Sequence, residues 1–72
     1  MPLTFAKPGE TYIIMRIGGN SEIRAHLQNL GFVVGSNVEV ITAMGGNVIV
    51  NIKGSRVAIS KEMAQKIMIG GK

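Results

Sequence analysis

The side chains that could carry out chemistry are few in this chain. Its 72 residues include one His, no Cys, no Asp and four Glu. A Ser-His-Asp or Cys-His nucleophilic site therefore lacks residues that it needs. The four Glu residues lie in different predicted elements, so nothing in the sequence pairs two carboxylates for acid–base work. We predict no catalytic residues, no enzymatic activity and no cofactor.

One pair of side chains has the spacing of metal ligands. Glu22 and His26 are four residues apart in a predicted helix, which makes them neighbours on one helix face. A carboxylate and an imidazole hold a transition metal weakly, because a tight site usually has three or four protein ligands. The simpler interpretation is that His26 flanks an apolar stripe at the rim of the domain. We expect no metal site, with Glu22 and His26 as weak candidates.

Two features raise the question of phosphate or nucleic acid binding. Gly18-Gly19 precedes the predicted helix, whose free N–H groups could face an anion, but neither glycine-rich phosphate motif is present. A structural turn explains the pair better. Small barrels bind RNA with stacked aromatic side chains and a basic groove, and the only aromatics here are Phe5, Tyr12 and Phe32. We expect no nucleic acid partner and keep an RNA-binding barrel as an alternative.

Length and composition indicate one small folded domain over residues 1–72. A chain this short buries about 60% of its unfolded surface, so its apolar residues, 46% of the total, are mostly needed for the core. No apolar run reaches the roughly 20 residues of a membrane span, and no signal peptide pattern opens the chain. We expect a cytoplasmic protein. The net charge of +4 suits an acidic partner, RNA or the inner face of a membrane, although scattered Lys and Arg residues commonly serve solubility alone.

The apolar pattern predicts the element order β-α-β-β-β-α-β. Alternation with period two between glycine turns indicates strands, and a short capped segment near the end indicates a second helix. The predicted strands are Tyr12–Ile17, Val38–Thr42, Val48–Lys53, Arg56–Ile59 and Ile67–Ile69, and the second helix is Lys61–Lys66. The first ten residues are predicted to be irregular. Strands joined by tight turns favour a mainly β fold in which a meander closes into a small barrel without open edges.

The main helix has clear signals at both ends. Asn20 or Ser21 can cap its start, and Gly31 stands where a helix end favours a left-handed residue. Phe32 can then fold back over the last turn. Apolar residues at positions i, i+4 and i+7 form one stripe that faces the core. The side chains predicted to be buried are Ile13, Ile23, Leu27, Leu30, Val40, Val50 and Ile59.

The predicted contact surface is the turn that contains Met44. This turn, Met44-Gly45-Gly46, places an apolar side chain at a hairpin tip, and exposed Met adapts well to contact surfaces. We predict that Met44, supported by Arg24 and Arg56, contacts a partner or a second copy of the chain in weak self-association. The alternative is that Met44 folds back onto the end of the barrel.

The spacing of several blocks gives the chain a family resemblance. Leu27–Gly35 fits the pattern L-x-x-L-G-[apolar]-x-x-G, and Lys7-Pro8-Gly9 stands upstream of the first strand. The downstream blocks are Gly45-Gly46-Asn47, Gly54–Ile59, and then Glu62, Ala64 and Ile67. Together, from about Leu3 to Ile69, they resemble the ferrous-iron transport protein A (FeoA) family of small bacterial proteins.

The resemblance implies an SH3-like barrel with an inserted helix and no established catalytic residues. It also implies an accessory role beside the membrane ferrous iron permease, whose cytoplasmic part is a GTP-binding domain, so the protein would reach the inner face of the membrane through this partner. Tuning of GTP hydrolysis, assembly of the permease and signalling of iron status stay open. One departure is His26, where many relatives have a basic residue. The alternative is a detached interaction module of the kind found in iron-dependent repressors.

Overall fold

The structure, a computed structural model that describes residues 1–71, has the predicted order of strands and helices. Its elements are β1 Thr11–Ile17, α1 Ser21–Asn29, β2 Asn37–Met44, β3 Asn47–Ile52, β4 Ser55–Ser60, α2 Lys61–Ala64 and β5 Ile67–Gly70. The opening segment is not wholly irregular, because a one-turn 3₁₀ helix, Leu3–Phe5, places Leu3 in the core. The second helix is shorter than the predicted Lys61–Lys66. No helix of the described residues is long and apolar enough to cross a membrane.

The five strands form one antiparallel sheet in the order β4-β3-β2-β1-β5. Two-residue turns, Gly45-Gly46 and Lys53-Gly54, join β2 to β3 and β3 to β4, and all four residues have positive φ. Such turns match the twist of the strands they connect. Lys53, with φ of 51°, was predicted as the last residue of a strand and is instead the first turn residue. The turn geometry requires this conformation even though a lysine adopts it at some cost.

Closure of the barrel differs from the prediction of a sheet without open edges. Among residues 1–71, β4 pairs only with β3, and β5 pairs only with β1 and the N-terminal residues. The outer edge of β5 is covered where the Met1 amino group donates to the Ile69 carbonyl at 2.9 Å and the Ile69 N–H donates to the Met1 carbonyl at 2.7 Å. The outer edge of β4 has no strand partner within the described residues. The fold is therefore a small, partly open barrel.

The buried face of β1 is the opposite of the one predicted. Tyr12 and Ile14 are buried, whereas Ile13 is only half-buried. Apolar residues occupy both faces of this strand, so alternation alone cannot decide which face is inside. The Tyr12 hydroxyl accepts a hydrogen bond from the Lys7 N–H at 3.1 Å, which satisfies its polar end. A bulge after Ile14 then lets Ile17 pack against the core as well.

The end of α1 has the predicted form. Gly31 has φ of 108°, the left-handed conformation that glycine adopts without a Cβ penalty. Its N–H donates to the Gln28 carbonyl at 2.9 Å, and the Phe32 N–H donates to the Leu27 carbonyl at 2.9 Å. These two bonds form a Schellman motif, which satisfies carbonyls that the helix leaves free. Phe32 turns back into the core and is fully buried.

The core contains four of the side chains predicted for it. Leu27, Val40, Val50 and Ile59 are buried, and α1 contributes only Leu27 to the enclosed set. Ile23 and Leu30 were predicted to be buried but are half-buried, because α1 is a short helix whose end turns pack at the margin of the core. The complete set of buried side chains is Leu3, Tyr12, Ile14, Leu27, Phe32, Val38, Val40, Val48, Val50, Ile52, Ile59, Ala64, Ile67 and Ile69.

Truncation of Leu27 tests how α1 is held. We expect Leu27→Ala to lower the free energy of unfolding by about 2–5 kcal/mol, because it removes the one enclosed side chain of the helix and leaves a cavity. Gln28→Ala, at the exposed next position, should change it by less than about 0.5 kcal/mol. Urea denaturation measures both. Equal effects of the two substitutions would contradict the docking of α1 through Leu27.

Candidate protein-binding groove

A groove lies between α1 and α2. It consists of two adjoining depressions, of about 440 and 210 Å³, which share Gln65 and Lys66. The other lining residues are Ile23, Ser60, Glu62 and Met63 in the larger part, and Arg16, Gly18 and Met68 in the smaller. We call the whole depression the α1–α2 groove. Its walls come from both helices and from the facing ends of β1 and β5.

Three apolar side chains line the groove, and helix caps position two of them. Ile23 and Met63 are half-buried, and Met68 on β5 is 37% exposed. Ile23 is the third residue of α1, and its N–H donates to the Asn20 side-chain oxygen at 2.8 Å. Met63 is the third residue of α2, and its N–H donates to the Ser60 hydroxyl at 3.3 Å. Each cap therefore fixes the backbone from which an apolar wall residue projects.

The glycine pair before α1 joins the helix to the groove. The Gly18 N–H donates to the Lys66 carbonyl at 2.7 Å, which ties the end of β1 to the residues after α2. Gly19 has φ of 93°, and a Cβ there would lie 3.2 Å from the Ile23 side chain. The Arg24 guanidinium donates to the Gly19 carbonyl at 2.8 Å. These contacts give the pair a structural role and hold Arg24 beside the groove.

The charged side chains are distributed unevenly along the groove. Glu62 lies in the first turn of α2, where the helix dipole favours a carboxylate. Arg16 lines the smaller depression with Met68, and Lys66 lines both depressions. All three charged residues are exposed, so their charges are available to a partner. The groove thus combines apolar side chains with two cations and one carboxylate.

Met44 projects from the molecule near the groove. It is 66% exposed, so it does not fold back onto the barrel end. Met44 pairs with Asn47, which pairs with Ser60, so the three side chains share one face of the sheet across three strands. Two strand spacings put Met44 roughly 10 Å from Ser60, a lining residue. The turn itself is attached to α2, because the Lys61 N–H donates to the Gly46 carbonyl at 2.9 Å.

Arg56 lies apart from the other predicted contact residues. It pairs with Asn51, whereas Ser60, four residues further along β4, pairs with Asn47 beside the Met44 turn. The rise along a strand then separates Arg56 from that end of the sheet by roughly 14 Å. The structure thus brings Arg24 and Met44 to the neighbourhood of the groove but separates Arg56 from them. The groove itself was not foreseen, because its walls come from distant parts of the chain.

The weak metal candidates lie together on α1. Glu22 and His26 are both exposed and do not line the α1–α2 groove. Within residues 1–71, no three His, Cys, Asp or Glu residues are grouped so that they could hold a metal ion. The pair therefore has no third ligand from the described residues, and its affinity for metals stays a prediction.

Comparisons with known proteins agree on one family. The FeoA domain family matches residues 1–70. A curated relative from Methanocaldococcus jannaschii, named as a proposed Fe(2+) transport protein A, is 40% identical over 68 residues, which cover 94% of this chain and 83% of the relative.

Solved structures with the same fold fall into two kinds. An iron uptake regulatory protein (FeoA) superposes with a TM-score of 0.88 at 32% identity, over 96% of this chain and 92% of that one. A manganese-dependent transcriptional repressor superposes with a TM-score of 0.92 at 20% identity, over all of this chain and 41% of the repressor, and shows the fold alone.

The fold defines the class of protein, and the comparisons define its family. The chain is an SH3-like β module with two short helices, as the sequence predicted. It belongs to the FeoA domain family, which confirms the resemblance found in its motifs.

Titration with ferrous iron tests the metal prediction. Because only Glu22 and His26 are placed to cooperate, we expect anaerobic calorimetry to give a dissociation constant weaker than micromolar. His26→Ala should abolish the remaining heat, while Gln28→Ala on the same helix should leave it unchanged. A one-to-one micromolar site that survives His26→Ala would show that other ligands exist.

Proposed function

We propose that this protein is a cytoplasmic accessory of ferrous iron uptake that acts by contact with the membrane iron permease through the permease's GTP-binding domain. The family match over residues 1–70 is the observation that carries the iron transport role. The name of the relative from Methanocaldococcus jannaschii, at 40% identity, supports the same role. Contact with the permease would bring the protein to the inner face of the membrane.

Binding, rather than catalysis, suits the groove. Its charged side chains, Arg16, Glu62 and Lys66, are exposed, and the one imidazole, His26, lies outside it. Nucleophilic and acid–base sites depend on a paired nucleophile and base or on groups whose environment tunes their proton affinity. A partly apolar surface with charged residues in its lining is typical of a place where another protein docks. We therefore assign the protein no enzymatic role.

The proposed contact surface includes the α1–α2 groove, Arg24 and Met44. Arg24 is held next to the groove by its hydrogen bond to the Gly19 carbonyl. Met44 offers an unbranched apolar side chain that can adapt to a partner. Because both lie near the groove, one docked domain could cover all of them. Arg56 is left outside this surface by the strand register.

The structure also bears on the alternatives. Tyr12 and Phe32 are buried, which leaves Phe5, 71% exposed, as the one aromatic available for stacking on bases. A single aromatic is a poor platform for single-stranded RNA. Similarity to the manganese-dependent repressor extends to the fold at 20% identity and does not favour a detached regulatory module. The accessory role in iron uptake is therefore the better supported function.

A binding assay with the permease's cytoplasmic GTP-binding domain tests this proposal. We expect the wild-type chain to bind the immobilised domain, and Arg24→Glu and Met44→Ser each to weaken binding by about tenfold, because they change the charge and the apolar contact of the proposed surface. Biolayer interferometry gives the dissociation constants with the domain loaded with GTP or GDP.

Arg56→Glu is the matched control, because it makes the same change of charge about 14 Å away along the sheet. It should bind as the wild type does. Circular dichroism establishes that each variant is folded. Wild-type protein that fails to bind the domain in either nucleotide state would contradict the proposed partner. Equal binding by all variants would place the contact surface elsewhere.

A further inference from the structure

The α1–α2 groove combines apolar and charged lining residues. Ile23, Met63, Glu62 and Lys66 line the larger depression, and Arg16 and Met68 line the smaller, which Lys66 also borders. The lining therefore holds two cations and one carboxylate beside three apolar side chains. A partner that fits this lining must present apolar side chains together with carboxylates for Lys66 and Arg16.

The apolar lining of the groove is open to a partner. Ile23 and Met63 pack against the margin of the core and keep part of their surface exposed. Met68, at 37% exposure, extends the apolar lining into the smaller depression. None of the three is needed to fill the enclosed core. The two depressions together are large enough to take a few apolar side chains.

The charge of the surroundings favours an acidic partner. Arg16 and Lys66 line the groove, and Arg24 is held beside it at the Gly19 carbonyl. Glu62 is the one carboxylate in the lining, and Glu22 lies next to Ile23 on α1. The net charge of the chain, +4, has the same sign as this excess of basic over acidic residues around the groove. Attraction between unlike charges would guide an acidic segment into the groove.

We propose that the α1–α2 groove binds an acidic, apolar peptide segment of a partner protein, with apolar side chains between Ile23 and Met63 and carboxylates on Arg16 and Lys66. This inference deepens the proposed function and rests on it for the biological partner. An anionic membrane surface fits less well, since Glu62 stands in the groove and the basic residues do not form the cluster that membrane binding favours.

Selection from a random-sequence peptide display library tests this inference without a known partner. We expect the immobilised protein to enrich peptides that combine apolar residues with an excess of Asp and Glu. Synthetic copies of the enriched peptides should bind the protein when measured by fluorescence anisotropy, and added salt should weaken this binding. Copies with Asp and Glu replaced by Lys should lose about tenfold or more in affinity.

Variants of the protein then show where the peptides bind. Lys66→Glu and Met63→Gln should each lower the affinity for the selected peptides by about tenfold. Arg56→Glu and Met15→Gln repeat the same two changes at exposed positions outside the groove and should bind as the wild type does. Thermal melting establishes that all four variants are folded.

Several results would overturn the inference. They are no enriched sequence, enrichment of neutral or basic peptides, binding that survives both groove substitutions, or binding of anionic lipid vesicles in preference to the peptides. The assay with the permease domain is read separately. If that domain binds but Lys66→Glu and Met63→Gln do not weaken it, the peptide groove is wrong and the proposed partner stands. If selected peptides bind as expected and the domain does not, the partner is wrong and the groove stands.

Discussion

Burial of Leu27 is the interaction on which the arrangement of the two helices depends. It is the one side chain of α1 that is completely enclosed, while Ile23 and Leu30 pack only at the margin of the core. The Schellman motif at Gly31 turns the chain so that Phe32 enters the same core immediately after the helix. Because Ile23 forms one wall of the α1–α2 groove, the groove exists only while Leu27 holds the helix in place.

The incomplete closure of the sheet explains why helices matter in so small a domain. β4 and β5 are not hydrogen-bonded to each other among residues 1–71, and α2 connects the two strands in sequence. Leu3, Leu27 and Ala64, one from each helical segment, are buried in the core. A 72-residue chain without cysteines has no disulfide to help, so this packing must supply its stability. The groove lies beside α2, which connects β4 and β5, the two strands that do not pair with each other.

The sequence predicted the structure correctly where a local pattern of residues allows only one conformation. The helix end at Gly31, the turn at Gly45-Gly46 and the burial of Leu27 each follow from residue type and spacing, and the structure confirms them. The face of β1 was predicted wrongly, because Arg16 makes the face of Ile14 the less apolar one in the sequence, and the bulge after Ile14 interrupts the alternation. Leu3 was missed because one short 3₁₀ turn has no periodicity to detect.

The groove lay beyond sequence reasoning for a different reason. Ile23 and Met63 come from helices that are far apart in the chain, and only the folded structure brings them to one depression. A signal was present, since each is an apolar residue three positions after a capping side chain, Asn20 and Ser60. That pattern predicts where each helix begins, but it does not show that the first turns of α1 and α2 face each other. The charged residues that line the groove, Glu62 and Lys66 among them, became meaningful only with this geometry.

Contact between the α1–α2 groove and the partner is tested most directly by a two-dimensional nitrogen–proton NMR spectrum of the isotope-labelled protein, recorded with and without the unlabelled GTP-binding domain of the permease. We expect the largest shifts on the amides of Ile23, Met63 and Lys66, with small shifts at Arg56. Shifts centred on Arg56 and the open edge of β4, with the groove amides unchanged, would contradict contact through the groove.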